Sequence, residues 1–322
     1  MSNVIYPKPK KRARNDLSIK KVPVPKGDEH PHPPNGAGIM PVHEFTMGLI
    51  APKGSGKTTT LVNLLEIYAG YFNAIYIFSP TIKSDSKWDY VKQLKLLVDN
   101  KPLKDWCRKM EQRDASNAIV QPAPVGIQFG SILEKEFKPE IPEENFFDQY
   151  SDSAFKKIMD ENKRMVDMLK DHGKLKTLAN RILVIFDDQV GSSLFSGKNQ
   201  AYFKGVNTRH RHHSASFLMV SQGYKEIPKT IRTNWTCLLL YRIGNMKELE
   251  VIYEEFEMGL NWEEWYKLYR QATAEKYQFL FIDMYCDEKF AMRKGFDKAL
   301  NYIERRDNDL EETPPDKKTK SV

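Results

Sequence analysis

Ala51-Pro-Lys-Gly-Ser-Gly-Lys57-Thr58 stands between two runs of opposite pattern in this 322-residue chain. Before it, Phe45-Thr-Met-Gly-Leu-Ile50 reads as a short buried strand; after it, Leu61, Leu64, Leu65 and Tyr68 recur at helical spacing. Strand, glycine-rich turn and helix in that order match a phosphate-binding loop, with Ala51 where the motif usually has its first glycine. Gly54 and Gly56 can adopt positive φ without a Cβ, so successive backbone N–H groups can point into one concavity. The unpaired N–H groups and positive dipole end of the following helix face the same anion. Ala51, Pro52, Lys53, Gly54, Ser55, Gly56, Lys57, Thr58 and Thr59 are therefore the expected cradle for ATP. Lys57 would reach the β- and γ-phosphates, and the Thr58 hydroxyl would ligate Mg²⁺.

A second constellation completes such a site. Arg181-Ile-Leu-Val-Ile-Phe-Asp187-Asp188 predicts a fully buried strand that delivers two carboxylates at its C-terminal end. Asp187 would bind Mg²⁺ through its water shell, and Asp188 would orient and deprotonate the attacking water. Ser214-Ala-Ser-Phe-Leu-Met-Val-Ser-Gln222 predicts another buried strand, ending in Gln222 as a sensor of the γ-phosphate or of the water. Arg232, then Arg209, then Arg242 are the candidates for an arginine that stabilises the transferring phosphate, across a subunit boundary or within one. Each also has a plain reading as a salt-bridge partner.

Around these motifs, Asn73 to Ser79 reads as a parallel strand whose end places Ser79, Pro80 and Thr81 at the edge where open α/β sheets hold their ligands. Residues 82–180 mix amphipathic pieces, Trp88 to Leu97 and Phe155 to Leu169, with proline-rich breaks, and predict a mostly helical elaboration. Gln200 to His213 reads as helical; His210, His212 and His213 are spaced too unevenly to share one helix face as metal ligands. Met246 to Phe256 and Trp262 to Ala272 predict amphipathic helices, and Tyr277 to Asp283 a further strand. The expected organisation is a basic arm without fixed structure over 1–39, a folded domain over 40–303, and a charged tail over 304–322.

Charge distribution narrows the partners. The formal net charge is +7, yet residues 1–26 alone hold eight basic residues against Asp16. The other 296 residues balance, so any grip on nucleic acid by the body must be local. The run Lys8-Pro-Lys-Lys-Arg-Ala-Arg14 resembles a nuclear-import signal, would equally suit a phosphate backbone, and also reads as a plain solvated tail. No apolar run approaches the roughly 20 residues of a membrane span, and the basic, proline-rich start is unlike a secretory leader. Three widely spaced cysteines, Cys107, Cys237 and Cys286, fit a reducing compartment better than a disulfide framework.

The order Ala51–Thr58, Ile182–Asp188, Ser221-Gln222 and Ile231-Arg-Thr-Asn234 resembles the DNA-packaging ATPases of large DNA viruses, the poxvirus-type branch of the FtsK–HerA superfamily. Thr208-Arg-His210 and the late Phe281-Ile-Asp283 and Arg293-Lys-Gly-Phe296 patterns are similar to that branch too. The likeness spans about residues 40–300. It implies an α/β P-loop NTPase fold of the ASCE, RecA-like kind, with an extra strand between the two Walker strands. It implies a homo-oligomeric ring that uses ATP and Mg²⁺ to drive double-stranded DNA into a capsid, with a capsid or portal protein as partner and no membrane. The place of action would be the virion or the cytoplasm, nucleus or viral factory of an infected cell. One departure is Asp188, where the wider superfamily commonly has Glu, one methylene longer. A helicase-like DNA-remodelling ATPase, a small-molecule kinase and an ATP-binding assembly scaffold are the alternatives on the same loop.

Overall fold

The structure is a computed structural model and describes residues 30–99, 101–116, 139–173, 180–195 and 197–300. The predicted first strand is β1 (Thr46–Ile50), and the helix after the glycine-rich turn is α1 (Lys57–Ile67). β2 (Ala74–Phe78), β4 (Ile182–Asp187), β5 (Ala215–Ser221) and β6 (Cys237–Tyr241) follow as the apolar runs foretell. With β3 (Phe146–Phe147), β7 (Phe279–Asp283), β8 (Met292–Lys294) and β9 (Lys298–Ala299) they form one nine-stranded sheet, ordered β3-β2-β4-β5-β1-β6-β7-β8-β9. The strands from β3 through β6 pair in parallel, and β7, β8 and β9 add antiparallel.

The chain leaves β1 through α1 and returns three strands away, at β2, so that β4 and β5 later fill the gap. β5 thereby lies between the strand that precedes the glycine-rich turn and the strand that ends in Asp187-Asp188. This is the mostly parallel α/β sheet with an inserted strand that the motif order implied.

Alternation within the strands sorts the core into two layers. On β4, Ile182, Val184 and Phe186 join a layer that includes Phe155, Phe203, Trp235 and Trp265. Leu183 and Ile185 face the other layer with Leu61, Leu64 and Leu65 of α1. The first layer is covered by α4 (Asp152–Asp171), α5 (Gly197–Thr208), α7 (Met246–Glu255) and α8 (Trp262–Ala272). Side-chain caps start several helices: Ser151 for α4, Asn245 for α7, and an Asn261–Glu264 capping box for α8. Gly48 faces the first layer too; a Cβ there would lie 2.2 Å from the Trp235 ring, so only glycine fits under the indole.

Four expectations are corrected. Residues 30–39 are not a free arm: Pro33 is buried, the Pro31 carbonyl accepts from the Tyr71 hydroxyl (2.8 Å), and Arg293 donates to the Ile39 carbonyl (2.7 Å). His30, His43 and Glu44 also meet there, with ligand atoms within 4.8 Å of one another, and the two His43 ring nitrogens face the Ser216 and Ser214 hydroxyls at 2.8 and 3.1 Å. Within 82–180, the helix expected over Trp88 to Leu97 is α2 (Ser86–Lys92), capped by Asp85. Leu96 and Leu97 stay buried beyond its end. The same region supplies β3, a two-residue edge strand that its Phe-Phe pair did not announce. The helical segment expected to run to His213 ends as an α-helix at Thr208 and finishes as a tighter 3-10 turn over His210–His213.

The rest of the elaboration is helical. α3 (Lys101–Ser116) packs Leu103, Trp106 and Met110 against Val166 and Leu169 of α4. α4 in turn is bound to the sheet by Asn162, whose amide donates to the carbonyls of Asn180, His213 and Ser214 at 3.0, 2.7 and 3.1 Å. Residues 1–29, including the basic run, and the tail over 304–322 lie outside the described residues. Among those described, no helix is long and apolar enough to cross a membrane.

Candidate nucleotide site

The turn after β1 has the geometry its glycines foretell. Gly54 has φ 78° and Gly56 φ 98°, both left-handed, and the Ser55 hydroxyl closes the turn on the Pro52 carbonyl at 2.6 Å. α1 then starts with no side-chain cap and no acidic residue in its first turn. α4, α7 and α8 satisfy their first N–H groups with their own side chains. α1 leaves its first amides to whatever occupies the concavity. An uncapped helix start behind two left-handed glycines has the geometry that an anion cradle requires.

Lys57, the first residue of α1, meets Asp187 at 3.3 Å (Nζ to Oδ1). Strand parity explains the meeting. Asp187 continues the Leu183, Ile185 series and so emerges on the face covered by α1. Its other oxygen accepts from the Ser79 hydroxyl at 2.8 Å, a residue at the end of β2, and Ser79 is itself within 3.0 Å of the Thr81 hydroxyl. Gln189 braces the strand end by donating to the Phe78 and Asp187 carbonyls at 3.2 and 3.0 Å. Burial raises the Asp187 carboxyl above its ordinary pKa, against the opposing pull of Lys57 and Ser79.

Asp188 does not follow the alternation. Its φ of 51° ends the extended run, while its N–H still pairs with the Val220 carbonyl at 3.0 Å. The carboxylate so placed lies 3.4 Å, at both oxygens, from the Gln222 amide Nε2 at the end of β5. Asp188 is half-buried and Gln222 exposed, so the pair faces open space beside the cradle. Lys57, Thr58, Asp187, Asp188 and Gln222 thus gather at one sheet edge, from the ends of β4 and β5 and the start of α1, which follows the adjacent β1. Thr59 is exposed at the start of α1, and Thr60 behind it is held by the Tyr241 hydroxyl.

The arginines fall elsewhere. Arg232, at the end of α6 (Lys229–Arg232), is buried. Its guanidinium donates to both carboxylate oxygens of Glu255 at 3.3 and 2.8 Å and to the Ile227 carbonyl at 2.6 Å. It also lies 4.3 Å from the centroid of the Tyr224 ring. Burial alone would raise the Glu255 carboxyl, but Arg232 and Tyr224 overcome this and hold it below its usual range. A guanidinium so committed cannot also reach a phosphate. Arg232 instead fixes the segment just after Gln222, which is a correction to its expected role. Arg209 is exposed beyond α5, and its Nε donates to the Gly205 carbonyl at 3.1 Å. It precedes β5 while Gln222 follows it, so the length of a seven-residue strand, about 20 Å, separates Arg209 from its own chain's site. Within one chain it does not reach the site. Arg242, exposed just after β6, is the arginine placed at the cradle's own edge.

Two contributors escaped the sequence reading. Ser79 was placed at the correct edge without a role; its hydroxyl orients Asp187. Tyr277 was taken only as the start of a strand, whereas it lies against Gly56. His210 and His213 direct ring nitrogens to backbone carbonyls of Asn207 (2.9 Å) and Met159 (3.2 Å), which is the work of packing.

No family model matches the sequence, and no curated protein matches it. Among solved structures, the chain is similar to the DNA-packaging ATPase B204 of Sulfolobus Turreted Icosahedral Virus, at 14% identity, over 74% of this chain and 92% of that one, with a TM-score of 0.42. It is also similar to the pCW3 conjugation coupling protein TcpA (12% identity, 83% and 65% covered, TM-score 0.38). A third likeness is to EssC of Geobacillus thermodenitrificans (15% identity, 61% and 32% covered, TM-score 0.31). These likenesses are distant, and the site's chemistry rests on its own geometry.

Proposed function

We propose that this chain is a Mg²⁺-dependent ATP hydrolase, a motor that works as a homo-oligomeric ring and packages double-stranded viral DNA into a capsid. The observation that carries the hydrolytic half is the Lys57–Asp187 contact of 3.3 Å beneath an uncapped helix start, with Gln222 and Asp188 facing each other one strand away. An uncommitted anion cradle, a buried carboxylate and an exposed polar pair are the parts that phosphoryl transfer to water requires.

In this reading the backbone amides from Gly54 to Thr59 hold the phosphates, and Lys57 swings from Asp187 onto the terminal ones. The Thr58 hydroxyl and the Asp187 carboxylate are hard oxygen donors of the kind Mg²⁺ takes, and they would hold it there. The ion would supply neutralisation of phosphate charge. Ser79 keeps Asp187 oriented for this. Asp188 accepts the proton of the attacking water, and the Gln222 amide, donating to Asp188 through Nε2, leaves Oε1 to orient that water. Gln222 extends the reach of a carboxylate one methylene shorter than Glu. Arg209 completes the charge balance from a neighbouring subunit.

The packaging half rests on the order of the motifs, including Thr208 to His210 ahead of β5 and the β7–β8 pair. The test of the hydrolytic half is phosphate release from ATP by the full chain, with Mg²⁺ and with the metal chelated. Turnover that needs Mg²⁺ and is lost in Lys57→Ala supports it. A folded wild-type chain that binds ATP but never turns it over favours the assembly scaffold.

A further inference from the structure

We infer that Tyr277 is the stacking surface for the base of a purine nucleotide whose phosphates lie in the Gly54–Thr59 cradle; this rests on the phosphate-site reading above. β7 runs antiparallel to β6, pairing Phe279 with Tyr241, and β6 pairs Leu240 with Ile50 of β1. The turn between α8 and β7 therefore arrives at the edge where the cradle begins.

Tyr277 occupies that turn with φ 67°, a left-handed conformation that side-chain-bearing residues rarely take. It is held there by anchored neighbours: Gln278 N–H donates to the Glu275 carbonyl at 3.3 Å, and the Glu275 carboxylate pairs with Lys294 of β8 at 2.6 Å. The result is a ring set against the cradle. A Cβ added to Gly56 would lie 3.0 Å from Tyr277 Cδ1, yet the residue is 54% exposed. One edge of the ring abuts the residue that caps α1, and Lys276 stands over a face that is otherwise exposed. Lys276 Nζ stands 4.8 Å from its centroid.

An exposed aromatic ring beside a phosphate cradle fits a flat π-system tethered to the phosphates through a sugar, which would take the face over which Lys276 stands. Stacking of this kind engages the face of a base and ignores its edge, so adenine and guanine should be accepted alike. Among the described residues, the exposed aromatics include none on the Asp188 side, where Gln222 and Val190 are exposed.

The experiment measures equilibrium binding of ATP, GTP and inorganic tripolyphosphate to the full chain and to Tyr277→Ala, Tyr277→Phe and Lys57→Ala. Tyr277→Ala should weaken ATP and GTP alike by at least about five-fold and leave tripolyphosphate unchanged. Tyr277→Phe should match the wild type, and Lys57→Ala should weaken all three ligands. Unchanged ATP affinity in Tyr277→Ala, or equal losses of ATP and tripolyphosphate, would overturn the assignment, the latter by making Tyr277 a support for the Gly56 turn. Failure of the folded wild type to bind tripolyphosphate and ATP would instead sink the phosphate-site reading, and the base platform with it.

Discussion

The Gln222 amide lies 3.4 Å from both carboxylate oxygens of Asp188, 34 positions away in sequence. Two adjacent parallel strands, β4 and β5, end in step and bring the pair together at the sheet edge. Truncating Gln222 to Ala removes the donor without opening a cavity, since the residue is exposed. The expected outcome is a fall in ATP turnover of about a hundredfold with little change in KM or in melting temperature. Steady-state kinetics with a parallel melt checks it, and a rise in KM alone would assign Gln222 to ground-state binding.

Asp187 makes a linked statement about pH. Its carboxyl is raised by burial, so the native state keeps this proton longer than the unfolded chain does. Stability from this group is therefore lost as pH rises from the ordinary carboxylate range through its raised value. Asp187→Asn should melt higher than wild type at pH 7, with the difference shrinking as pH falls towards 4, while ATP turnover disappears. Thermal melts across that range, nucleotide-free, decide the matter; a destabilised Asp187→Asn at pH 7 would contradict the account of its burial.

Arg232 and Arg209 separate a structural arginine from one proposed to act between subunits. Breaking the buried Arg232–Glu255 pair with Arg232→Ala should cost about 3–5 kcal/mol of stability, because Glu255 loses its paired guanidinium. Arg209→Ala should melt like wild type and lose turnover. Mixing Arg209→Ala with Lys57→Ala should restore part of it at interfaces that pair an intact cradle with an intact arginine. No restoration on mixing would remove Arg209 from the mechanism.

Gly48→Ala tests the packing that supports the cradle strand. With the Trp235 ring 2.2 Å from the added Cβ, overpacking should destabilise the chain by about 1–3 kcal/mol. Chemical denaturation reads this directly. The double change Gly48→Ala with Trp235→Leu should recover part of the loss, and its failure to do so would locate the strain elsewhere.

What could be read from the sequence follows the physics of each element. Continuous apolar runs such as Ile182–Phe186 announce strands buried on both faces, and the order of motifs at their ends implied which strands are neighbours. The helices Met246–Glu255 and Trp262–Ala272 matched their amphipathic spacing within a residue at each end. β3 was hidden because two residues carry no alternation. Residues 30–39 looked unstructured from their prolines and histidines, yet they dock through backbone carbonyls, which composition does not display. Arg232 misled for a related reason: a guanidinium near motif residues looks catalytic until its carboxylate partner, Glu255, arrives from 23 positions away. Tyr277 was invisible because its contact with Gly56 spans most of the domain.

The most direct test of the central claim is ATP turnover by the full chain, with and without double-stranded DNA, for wild type, Lys57→Ala and Asp188→Asn. The account expects DNA to stimulate the wild type and both substitutions to reduce turnover to background. Turnover that ignores DNA, or that survives Asp188→Asn unchanged, would contradict it.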